Sequence, residues 1–139
     1  MVKKEDKTIV TTGKRKNSIA RAKIIPGTGK ILINSEPFEL WGTEFLRMRL
    51  KEPLMLAGDL VKKVNIYVNV RSGGMTGQTD SIRMAIARGL VDFSKDRNLK
   101  EIYTQYDRNL LVFDSRRNEP HKPGASKRGA RRHKQRSKR

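Results

Sequence analysis

The last 25 residues of the chain, 115–139, contain no Val, Ile, Leu, Met, Phe, Trp or Tyr, so no hydrophobic core can be built from them. They carry eleven Lys or Arg against one acid, Glu119, a net charge of +10. Pro120, Pro123, Gly124 and Gly129 interrupt any helix or strand there. A compact fold must therefore lie in residues 1–114, which hold 21 basic and 13 acidic residues, a net charge of +8. The division expected is a globular body over 1–114 and an extended basic tail over 115–139 that orders only on a partner. Fully extended, the tail would reach roughly 80 Å at about 3.3 Å per residue.

The partner is set by charge. The whole chain carries +18, and self-repulsion of that size points to a polyanion. Nucleic acid is the first candidate and an anionic membrane the second. No stretch approaches the roughly 18 apolar residues that span a bilayer, and Met1 to Lys7 leads into no apolar signal core. The absence of cysteine excludes disulfides, thiolate zinc sites and cysteine nucleophiles. His121 and His133 lie in the basic Pro/Gly stretch and form no metal pattern. The expected setting is cytoplasmic, with no cofactor, no membrane and no small-molecule substrate.

Within the body, Val64-Asn65-Ile66-Tyr67-Val68-Asn69-Val70-Arg71 alternates apolar and polar and is the clearest strand. Thr8 to Thr12 is β-branched and reads as a first strand. Ser18 to Ile25 and Lys30 to Asn34 flank Pro26-Gly27-Thr28-Gly29, which predicts a hairpin with a four-residue loop. A helix is expected near Thr43 to Lys51, with Pro53 opening a second short helix that ends at Gly58. Trp41, just ahead of the first, is expected to pack. Ile82, Ile86, Leu90 and Phe93 place one apolar stripe on a later helix. Asn98 is expected to cap a last helix whose Leu99, Ile102, Tyr103 and Tyr106 face inward. The pattern is a single mixed α+β domain without internal repeats.

Two motifs carry chemistry. Lys14-Arg15-Lys16, followed by Arg21 and Lys23 on the next strand, can converge on phosphates and supply affinity without reading sequence. A solvated basic edge that blunts strand pairing between molecules is the alternative; the charged tail favours RNA contact. Gly73, Gly74 and Gly77 lie between strand and helix, where backbone N–H groups can face an anion and an RNA backbone can approach closely. Thr76 and Gln78 add side-chain donors. A tight turn before a packed helix explains the same glycines equally well. A nucleotide loop fits poorly, because the Lys-Ser/Thr ending and the dinucleotide spacing are both missing. Arg83 and Arg88 lie off the apolar stripe, facing RNA or solvent. Asp114-Ser115-Arg116-Arg117 and Asp107-Arg108 suggest ion pairs at the junction of body and tail. Aromatic platforms for single-stranded bases are not evident. No acid, base and nucleophile converge on a catalytic site, and an enzyme is not indicated.

Thr12-Gly13-Lys14-Arg15-Lys16 with Ile19-Ala20-Arg21-Ala22 resembles the opening of the small-subunit ribosomal protein nine family. Gly73-Gly74-x-x-Gly77-Gln78, followed by Arg83-Met84-Ala85-Ile86-Ala87-Arg88, resembles its glycine-rich signature and helix. Asp114-Ser115-Arg116-Arg117-x-Glu119 and the closing Ser137-Lys138-Arg139 resemble its tail. The likeness runs in order from Thr11 to Arg139. Ser72 departs from it, standing where the signature usually has a first glycine. Glu52-Pro53-Leu54 with Leu56-Ala57-Gly58 resembles the archaeal and eukaryotic branch.

The resemblance implies the left-handed βαβ fold of the second domain of ribosomal protein five, against the usual right-handed rule. It also implies a place in the head of the small subunit, against rRNA and neighbouring head proteins. The tail would thread toward the P-site tRNA, with Arg136, Lys138 and Arg139 approaching the anticodon stem-loop. Arg116, Arg117, Lys122, Lys127, Arg128, Arg131 and Arg132 are the tail cations expected on rRNA, with Arg83 added from the body. Two other readings compete. A free nucleic-acid chaperone or chromatin-type DNA binder shares the charge pattern, and a small-molecule kinase related by fold would cradle ATP on the glycine loop.

Overall fold

A computed structural model describes residues 8–122 and 124. In chain order the elements are β1 (Ile9–Arg15), β2 (Ser18–Pro26), β3 (Ile31–Ile33), β4 (Glu36–Pro37), α1 (Glu44–Ala57), β5 (Val64–Arg71), α2 (Met75–Ser94) and α3 (Arg97–Tyr106). One-turn 3-10 segments precede α1 and follow α3, and a longer one joins α1 to β5. The strands form one sheet in the order β1-β2-β5-β3-β4, so the domain is mixed α+β.

β1 and β2 pair antiparallel from Ile9↔Ile24 to Arg15↔Ser18, joined by Lys16 and Asn17. Lys16 has φ 53°, the left-handed conformation that two-residue hairpin turns require. The expected hairpin between β2 and β3 does not form. β5 lies between them, antiparallel to β2 and parallel to β3. Its Val64, Ile66, Val68 and Val70 make the most regular apolar face in the body, and burial on both flanks places such a strand at the centre of a sheet. The loop strides over the start of β5: Gly27 N–H donates to Lys63 O (2.9 Å) and Gly29 N–H to Val64 O (3.0 Å). Asn65 Oδ1 accepts from the N–H groups of Thr28 and Lys30.

The helices also differ from expectation at their ends. α1 runs unbroken through Pro53, although proline removes a donor and crowds the preceding turn. Pro53 is buried with Leu46 and Leu50 on the packed side of the helix, and its C=O accepts the buried Tyr103 hydroxyl at 2.7 Å. This tertiary packing overrides the local signal. α2 begins at Met75, so Thr76, Gly77 and Gln78 are its first turn, not loop. α3 is capped by Asp96, whose carboxylate accepts from Asn98 N–H; Asn98 is inside the helix. Leu99 and Tyr103 are buried as expected, but Tyr106 is exposed.

α2 lies across β1 and β2 and touches β5. Its Ile82, Ile86 and Leu90 pack with Ala20, Ala22, Ile24, Val64, Ile66, Val68 and Val70 to form the core, which Trp41 and Phe38 close at one side. α1 packs on α2 and α3. The inner sheet face is thus covered, and the outer face is open.

Candidate nucleic-acid interface

Strand alternation decides which side chains reach the open face. Ser18, Ala20, Ala22 and Ile24 of β2 point inward and are buried, so Ile19, Arg21 and Lys23 point outward and are exposed. The registers align Lys14, Ile19 and Arg71 in one row, Thr12, Arg21 and Asn69 in the next, and Val10, Lys23 and Tyr67 in a third. Four cations, Lys14, Arg21, Lys23 and Arg71, therefore share one face with no carboxylate in those three rows. Arg71 escaped the sequence reading, although the alternation of Val64 to Arg71 places it on the polar side. Ile19, Arg21, Asn69, Arg71 and Ser72 line a shallow depression of about 390 Å³ at one end of this face.

The glycine loop closes that end. Ser72 and Gly73 both have left-handed φ, 63° and 75°. For Ser72 this costs about 1 kcal/mol, which gives a physical reason for the glycine usual at its place in the resembled signature. Gly73 packs on Ser18, where a Cβ would meet the Ser18 Cβ at 3.0 Å. Gly74 caps α2 without any side-chain bond, and a Cβ there would meet nothing within 4 Å. The first N–H groups of α2 have no intrahelical partners, and the positive end of the helix dipole lies with them beside the cationic face. Thr76 is exposed, whereas Gln78 is occupied, its Nε2 donating to Ser72 O at 3.2 Å.

Not every basic residue is free to meet an anion. Arg15 pairs with Asp114 and lies 3.7 Å from Asp80, which in turn pairs with Arg49 at 2.9 Å. Arg116 holds the other side of Asp114 through side-chain and backbone donors. The root of the tail is thus pinned to the end of β1, beside the Lys16 turn. Arg88 donates to Thr12 O and lies 4.8 Å from the Phe113 ring centre, a second tie on the same segment. Lys16, Arg117 and Lys122 are exposed. Lys127, Arg128, Arg131, Arg132, Arg136, Lys138 and Arg139 lie outside the described residues.

Arg83 corrects the sequence reading. It faces neither solvent nor an open surface: it is 7% exposed, pairing with Glu52 of α1 and with Asp107 beyond α3. A long side chain off the apolar stripe can still be buried when neighbouring helices bring acids to it. Arg83→Met should lower the unfolding free energy by about 2 kcal/mol, less than for a fully buried pair because both acids are partly exposed. Urea unfolding measures it, and a loss below roughly 0.5 kcal/mol would mean the cluster is not structural.

The Asp114 junction has a pH signature. The Arg116 side chain, its backbone N–H and then the Arg15 charge hold the Asp114 carboxyl well below the ordinary carboxylate range. A carboxyl with a lower folded pKa stabilises the fold above its unfolded value, near 3.8, and loses that contribution as pH falls through the folded value. NMR of the Asp114 carboxyl carbon should show no titration from pH 7 down to about 3.5. A midpoint near that of a free aspartate would mean the junction is open in solution.

Among the described residues, no group of His, Asp and Glu is arranged to hold a metal, and no helix is long and apolar enough to cross a membrane. The sequence matches the family described as ribosomal protein S9/S16 over residues 13–139. It is similar to small ribosomal subunit protein uS9 of Pyrobaculum aerophilum, with 49% identity over 118 residues, 85% of this chain and 83% of that one. It is 43% identical to the uS9 proteins of Methanococcus vannielii and Methanococcus maripaludis, over 94% of this chain and 98% of each relative.

Proposed function

Because the chain belongs to the ribosomal protein S9/S16 family, we propose that it is a structural constituent of the small ribosomal subunit in the cytoplasm, without enzymatic activity. It binds small-subunit rRNA in the head through two parts. Residues 1–114 hold the body, whose open sheet face and glycine-loop end meet phosphates. Residues 115–139 form a basic tail that enters RNA, each Lys or Arg replacing condensed counterions. The terminal Arg136, Lys138 and Arg139 approach the anticodon stem-loop of P-site tRNA. The fold proposed with this reading is that of the second domain of ribosomal protein five, with β3, α1 and β5 as its strand–helix–strand unit.

One observation carries the reading beyond family membership. Lys14, Arg21, Lys23 and Arg71 share an uncovered face free of acids, and the tail leaves from the same end, held by the Arg15–Asp114 pair. Family membership speaks against a free chaperone, and the two ties on residues 113 and 114 support a tail that starts from one fixed point.

Cross-linking and peptide mapping on small subunits purified from the native cells, with tRNA bound, tests it. Links from Lys14 to Lys23 and from Ser72 to Thr76 to rRNA, and from 136–139 to tRNA, are the expected result. A chain that washes off at moderate salt and links to bulk DNA or RNA instead would favour the chaperone or chromatin reading.

A further inference from the structure

The outward face of α1 is apolar. Phe45, Met48 and Met55 are 68%, 57% and 77% exposed. Their spacing of three and then seven places them on one helical stripe, opposite the buried Leu46, Leu50 and Pro53. Leu40, in the turn that leads into the helix, is 69% exposed. Single exposed apolar residues need no explanation, but several large ones gathered on one helix and its approach mark an interaction surface.

The charges near the stripe favour a partner other than RNA. Across 36–55 the exposed charged residues are Glu36, Glu39, Glu44 and Lys51, three acids to one base in a chain of net charge +18. Of the two arginines of this stretch, Arg49 pairs with Asp80, while Arg47 is half-buried against the carbonyls of Trp41 and Gly42 and keeps its charge. A polyanion finds little attraction here, whereas the open sheet face attracts it.

We propose that this face binds a second protein of the same ribosomal subunit, one presenting an apolar patch ringed by Lys or Arg. The inference rests on the subunit assignment above. Methionine and phenylalanine are enriched at the cores of protein interfaces, and methionine adapts its shape to the surface it meets. The acidic rim steers a basic partner and fixes its orientation. A protein that shares an RNA scaffold with this chain is selected for positive charge for the same electrostatic reason.

The test uses the full-length chain with a benzophenone side chain in place of Met48, incorporated into small subunits in its native cells. Irradiation should link position 48 to one basic protein of the particle. Combining Phe45→Ser with Met55→Ser should cut that link by at least about tenfold, as loss of interface anchors does, with links from Lys23 to rRNA unchanged. A link from position 48 to rRNA, or no link in a particle that contains the chain, overturns the proposal and leaves the subunit assignment standing. A chain missing from small subunits overturns the assignment, and the docking surface with it.

Discussion

Truncation after Arg117 should weaken binding to small-subunit rRNA by at least about a thousandfold at low salt and leave the melting of the body unchanged. The cut removes nine Lys or Arg and one acid, Glu119, while keeping Arg116 on Asp114 so that the junction stays closed. With roughly 6–9 of those cations on phosphates, the slope of log K against log salt should fall by about 4–8, since each phosphate contributes 0.7–0.9. The intact chain should lose about 10³–10⁵ in affinity between 50 and 200 mM salt, and the truncated chain far less. No Val, Ile, Leu, Met, Phe, Trp or Tyr is removed beyond 117, so the core should not notice. Filter binding across a salt series, paired with thermal unfolding of both chains, measures the two effects. An unchanged salt slope would mean that the sheet face supplies the affinity and the tail supplies little. A body that melts earlier would mean that the tail is part of the fold.

What was readable in the sequence followed from local rules, and what was not depended on distant residues. The alternation of Val64 to Arg71 marked β5, and the stripe through Ile82, Ile86 and Leu90 marked the buried side of α2, because period alone reports which side is covered. The pairing of β3 with β5 in place of β2 was hidden, since two Ile-rich segments around a Pro-Gly-Thr-Gly loop satisfy every local condition for a hairpin. Pro53 misled for a similar reason: its effect on a helix is local, but the burial and the Tyr103 hydroxyl bond that hold α1 together come from elsewhere. Of the candidate site, the cationic run 14–23 and the glycine loop could be found from spacing. The burial of Arg83 could not, because Glu52 and Asp107 lie 31 and 24 residues away in sequence. Arg71 was within reach of the same alternation that found its strand.

Charge also separates the faces of the body in a way composition conceals. Arg15, Arg49, Arg83 and Arg116 meet Asp80, Asp107 and Asp114 around one polar cavity of about 170 Å³, and Arg83 also pairs with Glu52. These arginines act as internal ties, so the count of basic residues overstates the cations available to RNA. Outside these ties, positive charge lies on the open sheet face, along the tail sequence and at the exposed Lys30, Lys63, Lys95, Arg97, Lys100 and Arg108, whereas the charged residues of 36–44 are all acids. A body sorted this way can meet RNA on one surface and a protein on another without the two competing.

Gly13→Ala should be the most damaging single methyl group in the body, lowering stability by about 3 kcal/mol or more. β1 lies close against the α2 backbone: the Thr11 side-chain hydroxyl donates to Ala85 O at 2.7 Å. A Cβ on residue 13 would stand 2.0 Å from Ser81 O and 2.8 Å from Ala85 N. Those atoms belong to a helix backbone, so relief requires moving the whole of α2 or the end of β1. α2 prepares this approach with Ser81, Ala85 and Gly89, small residues four apart on one face. Gly89→Ala is the control. Its Cβ would meet Ile24 Cδ1 at 2.5 Å and Thr11 Oγ1 at 2.9 Å; the Ile24 end can turn, Thr11 must strain its bond to Ala85 O, and alanine regains up to about 1 kcal/mol of helix propensity. The first substitution should lower Tm by on the order of 10 °C and the second by about half as much or less, since only side chains must shift. Gly13→Ala should also weaken rRNA binding in whatever fraction remains folded, because shifting β1 displaces Lys14 on the open face and Arg15 at the root of the tail. Equal small losses for both variants would mean that α2 can lift away from β1 without strain. The close backbone contact would then not be what aligns the cationic face with the tail.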